Sequence, residues 1–249
     1  MLTVLTPTEI TLLVLCLCIV AMMYSMVGHG GGSGYIAILA LLSFSPETLR
    51  PIALTLNIFV SLISTFAFKK QAKSKKSLLI PLIIISIPCS FVGGLIQLDP
   101  LVYKPLLGVA LALAAARLFM ITKQRERQSA PLLVVLTLGS TIGLISGIIG
   151  IGGGIFLSPI LLLYGFATPK ETAAVSALFI LCNSTAALIG VLVLEPEISN
   201  LAISSLPLVF GVVLGGIFGA NIGSQKLGQT GLRIMLGIVL TIAAIKMFM

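Results

Sequence analysis

The chain has 249 residues, of which 58% are hydrophobic and only 9% are charged, and its mean hydropathy is +1.20. Soluble domains carry about 25% charged residues, so this composition excludes a water-soluble globule, a disordered chain and a disulfide-stabilised secreted module. The net charge of +8 is accompanied by only 6% aromatic residues, which argues against a nucleic-acid surface. The composition therefore predicts an all-α polytopic membrane protein with the lipid bilayer as a partner.

Eight apolar segments are long enough to cross the hydrocarbon core as helices, which takes about 20 residues. They lie at about 8–28, 48–68, 78–97, 101–121, 131–149, 172–194, 202–222 and 231–248. Two further apolar segments, about 33–44 and 154–165, are only about 12 residues long, and each directly follows a glycine cluster. No Lys or Arg precedes the first segment, so we expect it to be a retained helix and not a cleaved signal peptide.

The two halves of the chain resemble each other. The glycine-rich segment 28–32 (GHGGG) recurs at 150–154 (GIGGG), and 92–94 (VGG) recurs at the same separation as 214–216 (LGG). Two later matches, 107–109 with 236–238 and 117–120 with 246–249, keep the same order. We therefore predict a first repeat over residues 1–121, a cytoplasmic linker over 122–130 and a second repeat over 131–249, which together form one transmembrane domain.

The distribution of basic residues predicts the orientation of the segments, because Lys and Arg accumulate in cytoplasmic loops. The basic residues of 69–76 and of 122–130 should therefore be cytoplasmic. If both short segments cross the membrane, the chain has ten membrane segments; if both are re-entrant, it has eight. The ten-segment arrangement places more of the 15 basic residues at cytoplasmic ends than the eight-segment arrangement does. We favour ten segments in two inverted repeats, each with about four long transmembrane helices and one short helix after a Gly-rich break. Three basic residues do not lie at cytoplasmic ends in this arrangement, namely Arg50, Lys104 and Lys246.

The two glycine clusters carry the strongest functional signal. Glycine permits left-handed backbone, and broken backbone within a membrane is tolerated only beside protein or a water-filled cavity. The short helix after each cluster points its N-terminal N–H groups at the break, which favours an anion. The substrate-binding candidates from these clusters are Gly28, His29, Gly30, Gly31, Gly32, Ser33, Gly150, Gly152, Gly153 and Gly154. The alternative, that glycines serve only close helix packing, is favoured for residues 93–94 and 215–216.

Polar side chains in the spans after each short segment supply four more candidates: Asn57, Ser61, Asn183 and Ser184. Their amide and hydroxyl groups could bind the oxygens of an anion, and the alternative is hydrogen bonding between helices. His29, the sole histidine, could act as a proton-linked gate or an anion contact. Its counterpart in the second cluster is Ile151, so the duplicated site does not require an imidazole.

Some functions lose support because their residues are missing from the sequence. No Asp or Glu lies deep in a predicted span, which disfavours cation exchange and proton pumping. Neither H-E-x-x-H nor a phosphate-binding G-x-x-x-x-G-K-[ST] occurs, so we expect no catalytic residues, no enzyme activity, no metal site and no cofactor. We also expect no nucleic-acid partner.

The duplicated chain of about 250 residues, with G-x-G-G-G after the first helix of each half, resembles the sulfite exporter TauE/SafE family. The motif reads GHGGG at 28–32 and GIGGG at 150–154. The resemblance covers essentially the whole chain and implies a transporter of sulfur-containing anions (sulfite, sulfonate, sulfoacetate or thiosulfate) in the bacterial inner membrane. It does not imply a direction of transport.

These observations predict a secondary transporter that works by alternating access and binds a small sulfur-containing oxyanion between the two glycine breaks. The alternatives are an anion channel or passive pore of the same architecture and, less favoured, a membrane scaffold without transport. The sequence leaves open the choice of a proton or sodium as coupling ion, and it leaves open a homodimer.

Overall fold

The computed structural model describes residues 6–119, 127–196 and 205–225, together with 241, 242, 244, 245, 247 and 248. Within these ranges the regular structure is helical. The helices are α1 (Pro7–Ser25), α2 (Gly32–Leu41), α3 (Pro46–Ala67), α4 (Lys69–Ala72), α5 (Lys76–Leu95), α6 (Pro100–Phe119), α7 (Leu132–Ile149), α8 (Gly154–Leu163), α9 (Pro169–Leu194) and α10 (Leu206–Gln225), with a 3-10 turn at Lys73–Lys75. Most of the predicted linker and of the predicted span 231–248 lies outside the described residues.

Six of these helices, α1, α3, α5, α7, α9 and α10, are long and apolar enough to cross a membrane. Large apolar side chains point outwards from the bundle, and Leu101, Leu133 and Ile84 are 84%, 76% and 67% exposed. Apolar surface of this kind is stable against lipid and is costly against water. The chain is therefore an all-α, multi-pass membrane protein, as its composition predicts.

Proline fixes the start of three of the long helices. Helices α1, α3 and α9 each begin at a proline that follows a Thr or Ser, and proline suits the first helical position because it lacks the N–H that would be unpaired there. Thr168 and Glu171 cap the start of α9 reciprocally through each other's backbone N–H groups. This cap explains why α9 begins at Pro169, three residues before the start that hydropathy alone predicts.

The two short helices, α2 and α8, each have ten residues. Each begins after a glycine with left-handed backbone, Gly31 with φ of 103° and Gly153 with φ of 83°. Each also ends just before a residue with positive φ, Ser43 or Gly165. A left-handed residue at this position terminates a helix, which makes both helices slightly shorter than the apolar runs that predicted them.

Glycines bring two pairs of helices into close, parallel contact. On α7, a Cβ added at Gly143 would lie 2.7 Å from the Ser86 carbonyl oxygen of α5, and Gly147 faces Ser90 one turn further along. Helices α1 and α10 pack in the same way, because Gly211, Gly215, Gly219 and Gly223 face Val14, Cys18, Met22 and Met26 in that order. Small residues allow such close approach in membranes, and the predicted packing role agrees with the contacts of Gly93, Gly94 and Gly215, where an added Cβ would collide with a backbone carbonyl oxygen of a neighbouring helix. At Gly216 an added Cβ would lie 3.2 Å from the Ile63 side chain.

Helices α3 and α9 cross the middle of the bundle in opposite directions. Near the start of α3, Leu54 packs with Val191 near the end of α9. At the other end of α3, Phe68 packs with Ala173 near the start of α9. The polar residues that follow the two glycine breaks therefore lie on neighbouring helices that run in opposite directions.

Two regions that the sequence predicts to be cytoplasmic meet at one end of the bundle. Lys75 donates a hydrogen bond to the Phe166 carbonyl oxygen (2.8 Å) and lies 3.9 Å from the Glu171 carboxylate. Arg127 donates to the same carboxylate at 2.8 Å. The loop before α5 and the residues just before α7 therefore lie on the same side of the bundle, as the distribution of basic residues predicts.

Candidate functional site

The two glycine breaks lie against each other in the middle of the bundle. A Cβ added at Gly32 in the first break would lie 2.5 Å from the carbonyl oxygen of Ile151 in the second break. A Cβ at Gly152 would lie 2.5 Å from the Ser184 hydroxyl of α9 and closer still to the Asn57 amide of α3. Side chains at these positions would force the backbones apart. Glycine is therefore required here for the close approach of the two halves.

Asn57 connects the two breaks through its side-chain amide. Its Oδ1 accepts a hydrogen bond from the Gly32 N–H (3.1 Å), while its Nδ2 donates to the Ile151 carbonyl oxygen (3.1 Å) and to the Ser184 hydroxyl (2.8 Å). Asn57 and Ser184 are both fully buried. We call the group formed by Gly32, Asn57, Ile151, Gly152 and Ser184 the junction.

Two helices begin at or beside the junction. The first N–H groups of a helix have no acceptor within the helix, and they carry the positive end of its dipole. Helix α2 begins at Gly32, within the junction, and α8 begins at Gly154, two residues after the junction residue Gly152. The junction therefore concentrates backbone and amide donors without placing a formal charge there, an arrangement suited to the oxygens of an anion.

Two buried tyrosines support the first break. Tyr35 donates from its hydroxyl to the Gly30 carbonyl oxygen at 2.7 Å, and its ring fills the space beside Gly31. The hydroxyls of Tyr24 and Ser33 are hydrogen-bonded at 2.7 Å. Ser33 is therefore bonded to α1 and not to the junction, although it stands next to Gly32 in the sequence.

His29 joins the first break to the second half of the chain. Its Nδ1 lies 3.0 Å from the Val27 carbonyl oxygen, and its Nε2 lies 3.2 Å from the Gly154 carbonyl oxygen and 2.9 Å from the Ser158 hydroxyl. The imidazole therefore reaches across to the first turn of α8. It lies beside the junction, next to Gly30 in the chain.

Several candidates from the sequence lie away from the junction. A Cβ added at Gly28 would meet Ala173 near the start of α9, and one at Gly150 would meet Arg50. Each cluster therefore extends beyond the junction, which contains Gly32 of the first cluster and Ile151 and Gly152 of the second. Gly153 lies between the side chains of Ile142 and Phe179.

The two polar residues predicted on α9 face different neighbours. Ser184 reaches the junction, whereas Asn183 donates to the Phe179 carbonyl oxygen one turn back on its own helix (2.9 Å). The Asn183 carbonyl oxygen of the backbone accepts from Ser90 of α5 (2.9 Å). On α3, Ser61 donates to the Ile58 carbonyl oxygen of its own helix (3.2 Å).

Arg50 is the residue of interest that the sequence analysis did not include among its candidates. It is 8% exposed, and its guanidinium donates to carbonyl oxygens at the ends of α5 and α7. The acceptors are Gly93 (2.7 Å), Gly94 (3.0 Å), Ile96 (2.9 Å) and Gly147 (2.7 Å). Helix C-termini carry the negative end of the dipole and stabilise a cation.

Arg50 thus links α3 to the C-terminal ends of α5 and α7, the helix pair that packs closely through glycines. Among the described residues, the ion pairs within 4.0 Å involve Lys75, Arg127 and Glu171, and the Arg50 charge is compensated by carbonyl groups. An arginine within a predicted span is a functional or structural signal by itself, because an ionisable group in a membrane is costly. That signal was present at position 50 in the sequence.

Comparison with known proteins identifies the family. The model of the sulfite exporter TauE/SafE family matches residues 13–247, which is nearly the whole chain. The chain belongs to this family.

The relatives of this TauE/SafE family member are named as transporters. A probable membrane transporter protein of Sinorhizobium fredii is 37% identical over 250 residues, which cover 96% of this chain and 98% of that protein. A probable membrane transporter protein of Methanocaldococcus jannaschii is 29% identical over 248 residues, which cover 93% of this chain and 92% of that protein. No solved structure matches the chain significantly. The resemblance inferred from GHGGG and GIGGG is confirmed.

Proposed function

We propose that this protein is a secondary transporter that moves a small sulfur-containing oxyanion across the bacterial inner membrane by alternating access. The proposal rests on one observation above all, which is that both glycine breaks meet at Asn57. The family name supports the class of substrate, namely sulfite, sulfonate, sulfoacetate or thiosulfate. No catalytic chemistry forms part of the proposal.

The junction suits an anion better than a cation. Its donors are the Asn57 amide, the Ser184 hydroxyl and the N–H groups at the starts of α2 and α8. The sequence has no Asp or Glu deep in a span to compensate a bound cation. In the proposed bound state, anion oxygens replace Ile151 and Ser184 as acceptors for the Asn57 amide, with the glycine N–H groups completing the site.

Two observations support inverted repeats over residues 1–121 and 131–249. The left-handed residues Gly28, Gly31 and Ser43 recur at the same sequence separation as Gly150, Gly153 and Gly165. The central helices α3 and α9, which follow the two short helices, run in opposite directions, as corresponding helices of inverted halves do. Opposite directions for α3 and α9 also favour ten segments over eight, with residues 122–130 as a cytoplasmic linker.

Counterflow in proteoliposomes tests the proposed transport. Vesicles loaded with unlabelled thiosulfate or sulfite are diluted into a trace of the 35S-labelled anion. An alternating-access transporter should transiently concentrate the labelled anion inside the vesicles. Each outward movement of unlabelled anion leaves the binding site facing outwards, where it can bind labelled anion and carry it inwards. An anion channel of the same architecture would equilibrate the label without overshoot, and a scaffold would take up none.

Gly32→Ala tests whether contact between the breaks is needed. Gly32 begins α2 without left-handed backbone, so alanine is compatible with its backbone, yet the new Cβ would lie 2.5 Å from the Ile151 carbonyl oxygen. We expect the initial rate of counterflow to fall by about tenfold or more, which corresponds to about 1.4 kcal/mol. The variant should still elute as a folded protein on gel filtration.

Gly216→Ala is the matched control. Its Cβ would lie 3.2 Å from the end of the flexible Ile63 side chain, which can move aside. We expect counterflow close to that of the unmodified protein. Equal rates in the Gly32 and Gly216 variants would contradict the proposed role of the junction.

A further inference from the structure

His29 belongs to a chain of hydrogen bonds that crosses from the first half of the protein to the second. Its Nε2 lies 2.9 Å from the Ser158 hydroxyl of α8, and that hydroxyl lies 2.8 Å from the Ser176 hydroxyl of α9. On its other side, His29 Nδ1 lies 3.0 Å from the Val27 carbonyl oxygen. Ser158 and Ser176 are buried, whereas His29 is only half-buried.

This arrangement satisfies the imidazole in both of its protonation states. In the neutral state with hydrogen on Nδ1, that N–H donates to Val27, and the Ser158 hydroxyl donates to Nε2. In the protonated state, Nε2–H donates to the Ser158 oxygen and the Gly154 carbonyl oxygen, and the Ser158 hydroxyl turns to donate to Ser176. Rotation of the Ser158 and Ser176 hydroxyl groups therefore accommodates a proton on Nε2.

The contacts of His29 on α1 and α8 include an aromatic ring, a hydroxyl group and a carbonyl group. On α1, the Tyr24 ring lies edge-on with a centroid distance of 6.4 Å. On α8, Nε2 of His29 contacts the Ser158 hydroxyl and the Gly154 carbonyl oxygen. The charged residue of α9 nearest to Ser176 in the sequence is Glu171, and it is paired with Lys75 and Arg127 at the start of that helix.

The position of His29 links its charge to the junction. It precedes Gly30, where an added Cβ would meet the Asn57 side chain, and its Nε2 reaches the carbonyl oxygen of the residue that begins α8. A positive imidazolium at this place would favour an anion in the junction, and a bound anion would favour the imidazolium by the same factor. Together they would also move less net charge across the membrane than the anion alone.

We propose that His29 binds the proton that is co-transported with the anion. The inference rests on the proposed function, because it adds the coupling ion to the same site. His29 takes a proton when the anion binds, Ser158 and Ser176 reverse their hydrogen bonds to accommodate it, and the proton leaves when the anion leaves. The second half needs no imidazole of its own, since His29 spans both halves.

Because His29 is the sole histidine, its ring can be observed directly in the unmodified protein. Protein labelled with 15N-histidine, purified without a polyhistidine tag and placed in nanodiscs, gives one pair of ring nitrogen signals to titrate by NMR. Saturating thiosulfate should raise the imidazole pKa by about one unit, which is a tenfold coupling between proton and anion. An imidazole pKa that is the same with and without thiosulfate, in protein that binds thiosulfate, would overturn the inference.

Transport by His29→Gln supplies an independent test, since glutamine keeps an amide in place of the ring but cannot carry the charge. An inward proton gradient should drive accumulation of 35S-thiosulfate by the unmodified protein, and a protonophore should abolish it. In the glutamine variant this accumulation should fall about tenfold or more, and gel filtration checks that the variant is folded. Normal gradient-driven accumulation in the variant would contradict the inference.

If the unmodified protein performed counterflow without responding to the gradient, the inference would fail and the proposed function would stand. An absence of counterflow would remove the proposed function itself.

Discussion

Asn57→Leu is expected to abolish counterflow of the sulfur anion. The substitution keeps the size of the side chain but removes three hydrogen bonds, to the Gly32 N–H, the Ile151 carbonyl oxygen and the Ser184 hydroxyl. Each neutral hydrogen bond contributes about 1 kcal/mol, so a site that relies on all three loses about 3 kcal/mol. This corresponds to a loss of more than about 100-fold in the initial rate of counterflow in proteoliposomes.

Asn183→Leu is the matched control on α9. The Asn183 side chain donates only within its own helix, to Phe179, and its Oδ1 is buried without a hydrogen-bond partner among the described residues. Removing an unsatisfied acceptor should leave the stability of the protein nearly unchanged, and counterflow should continue. Comparable losses in the two leucine variants would show that any asparagine in these helices matters, and would contradict a specific role for the junction.

Arg50→Leu is expected to produce the largest loss of stability. Four backbone carbonyl oxygens at the ends of α5 and α7 would lose their donor, and hydrogen bonds to a charged group contribute about 1.5–3 kcal/mol each. Because such terms are not additive, we expect a net loss of at least about 3 kcal/mol. The melting temperature in detergent, followed by circular dichroism, measures the effect.

Arg127→Leu is the matched control for Arg50. The Arg127 side chain is 67% exposed, and its ion pair with Glu171 is therefore expected to contribute less than about 1 kcal/mol. Arg50→Lys should give an intermediate melting temperature, because an ammonium group has three donors and lacks the planar spread of the guanidinium. If the Arg50 and Arg127 leucine variants melted at the same temperature, the four carbonyl contacts would have no energetic importance.

Much of the fold could be predicted from the sequence because hydropathy and glycine act locally. The length of each apolar run indicates a membrane helix, and the described helices follow the predicted segments to within a few residues. The two glycine clusters predict breaks, and the breaks occur where Gly31 and Gly153 adopt positive φ. Membrane helices satisfy their own backbone hydrogen bonds, so these signals need little help from distant residues.

The composition of the candidate site was harder to predict, because it depends on which face of each helix turns inwards. Asn183 and Ser184 are neighbours in the sequence but differ by about 100° around the helix, and only Ser184 faces Asn57. The role of Arg50 depends on two helix ends that are distant in sequence, so it became visible only once the carbonyl groups of Gly93 and Gly147 were located. Long-range contacts of this kind are not encoded in local patterns.

Thermal stabilisation of the purified protein by sulfite, sulfate, thiosulfate, sulfoacetate and taurine, with a carboxylate as control, tests the anion site at the junction. A ligand that binds only the folded state stabilises it by about 2.7 kcal/mol at 100 times its Kd. A sulfur anion should raise the melting temperature of the unmodified protein and of Asn183→Leu, but not that of Asn57→Leu. No shift with any anion, or an equal shift in all three proteins, would contradict an anion site at the junction.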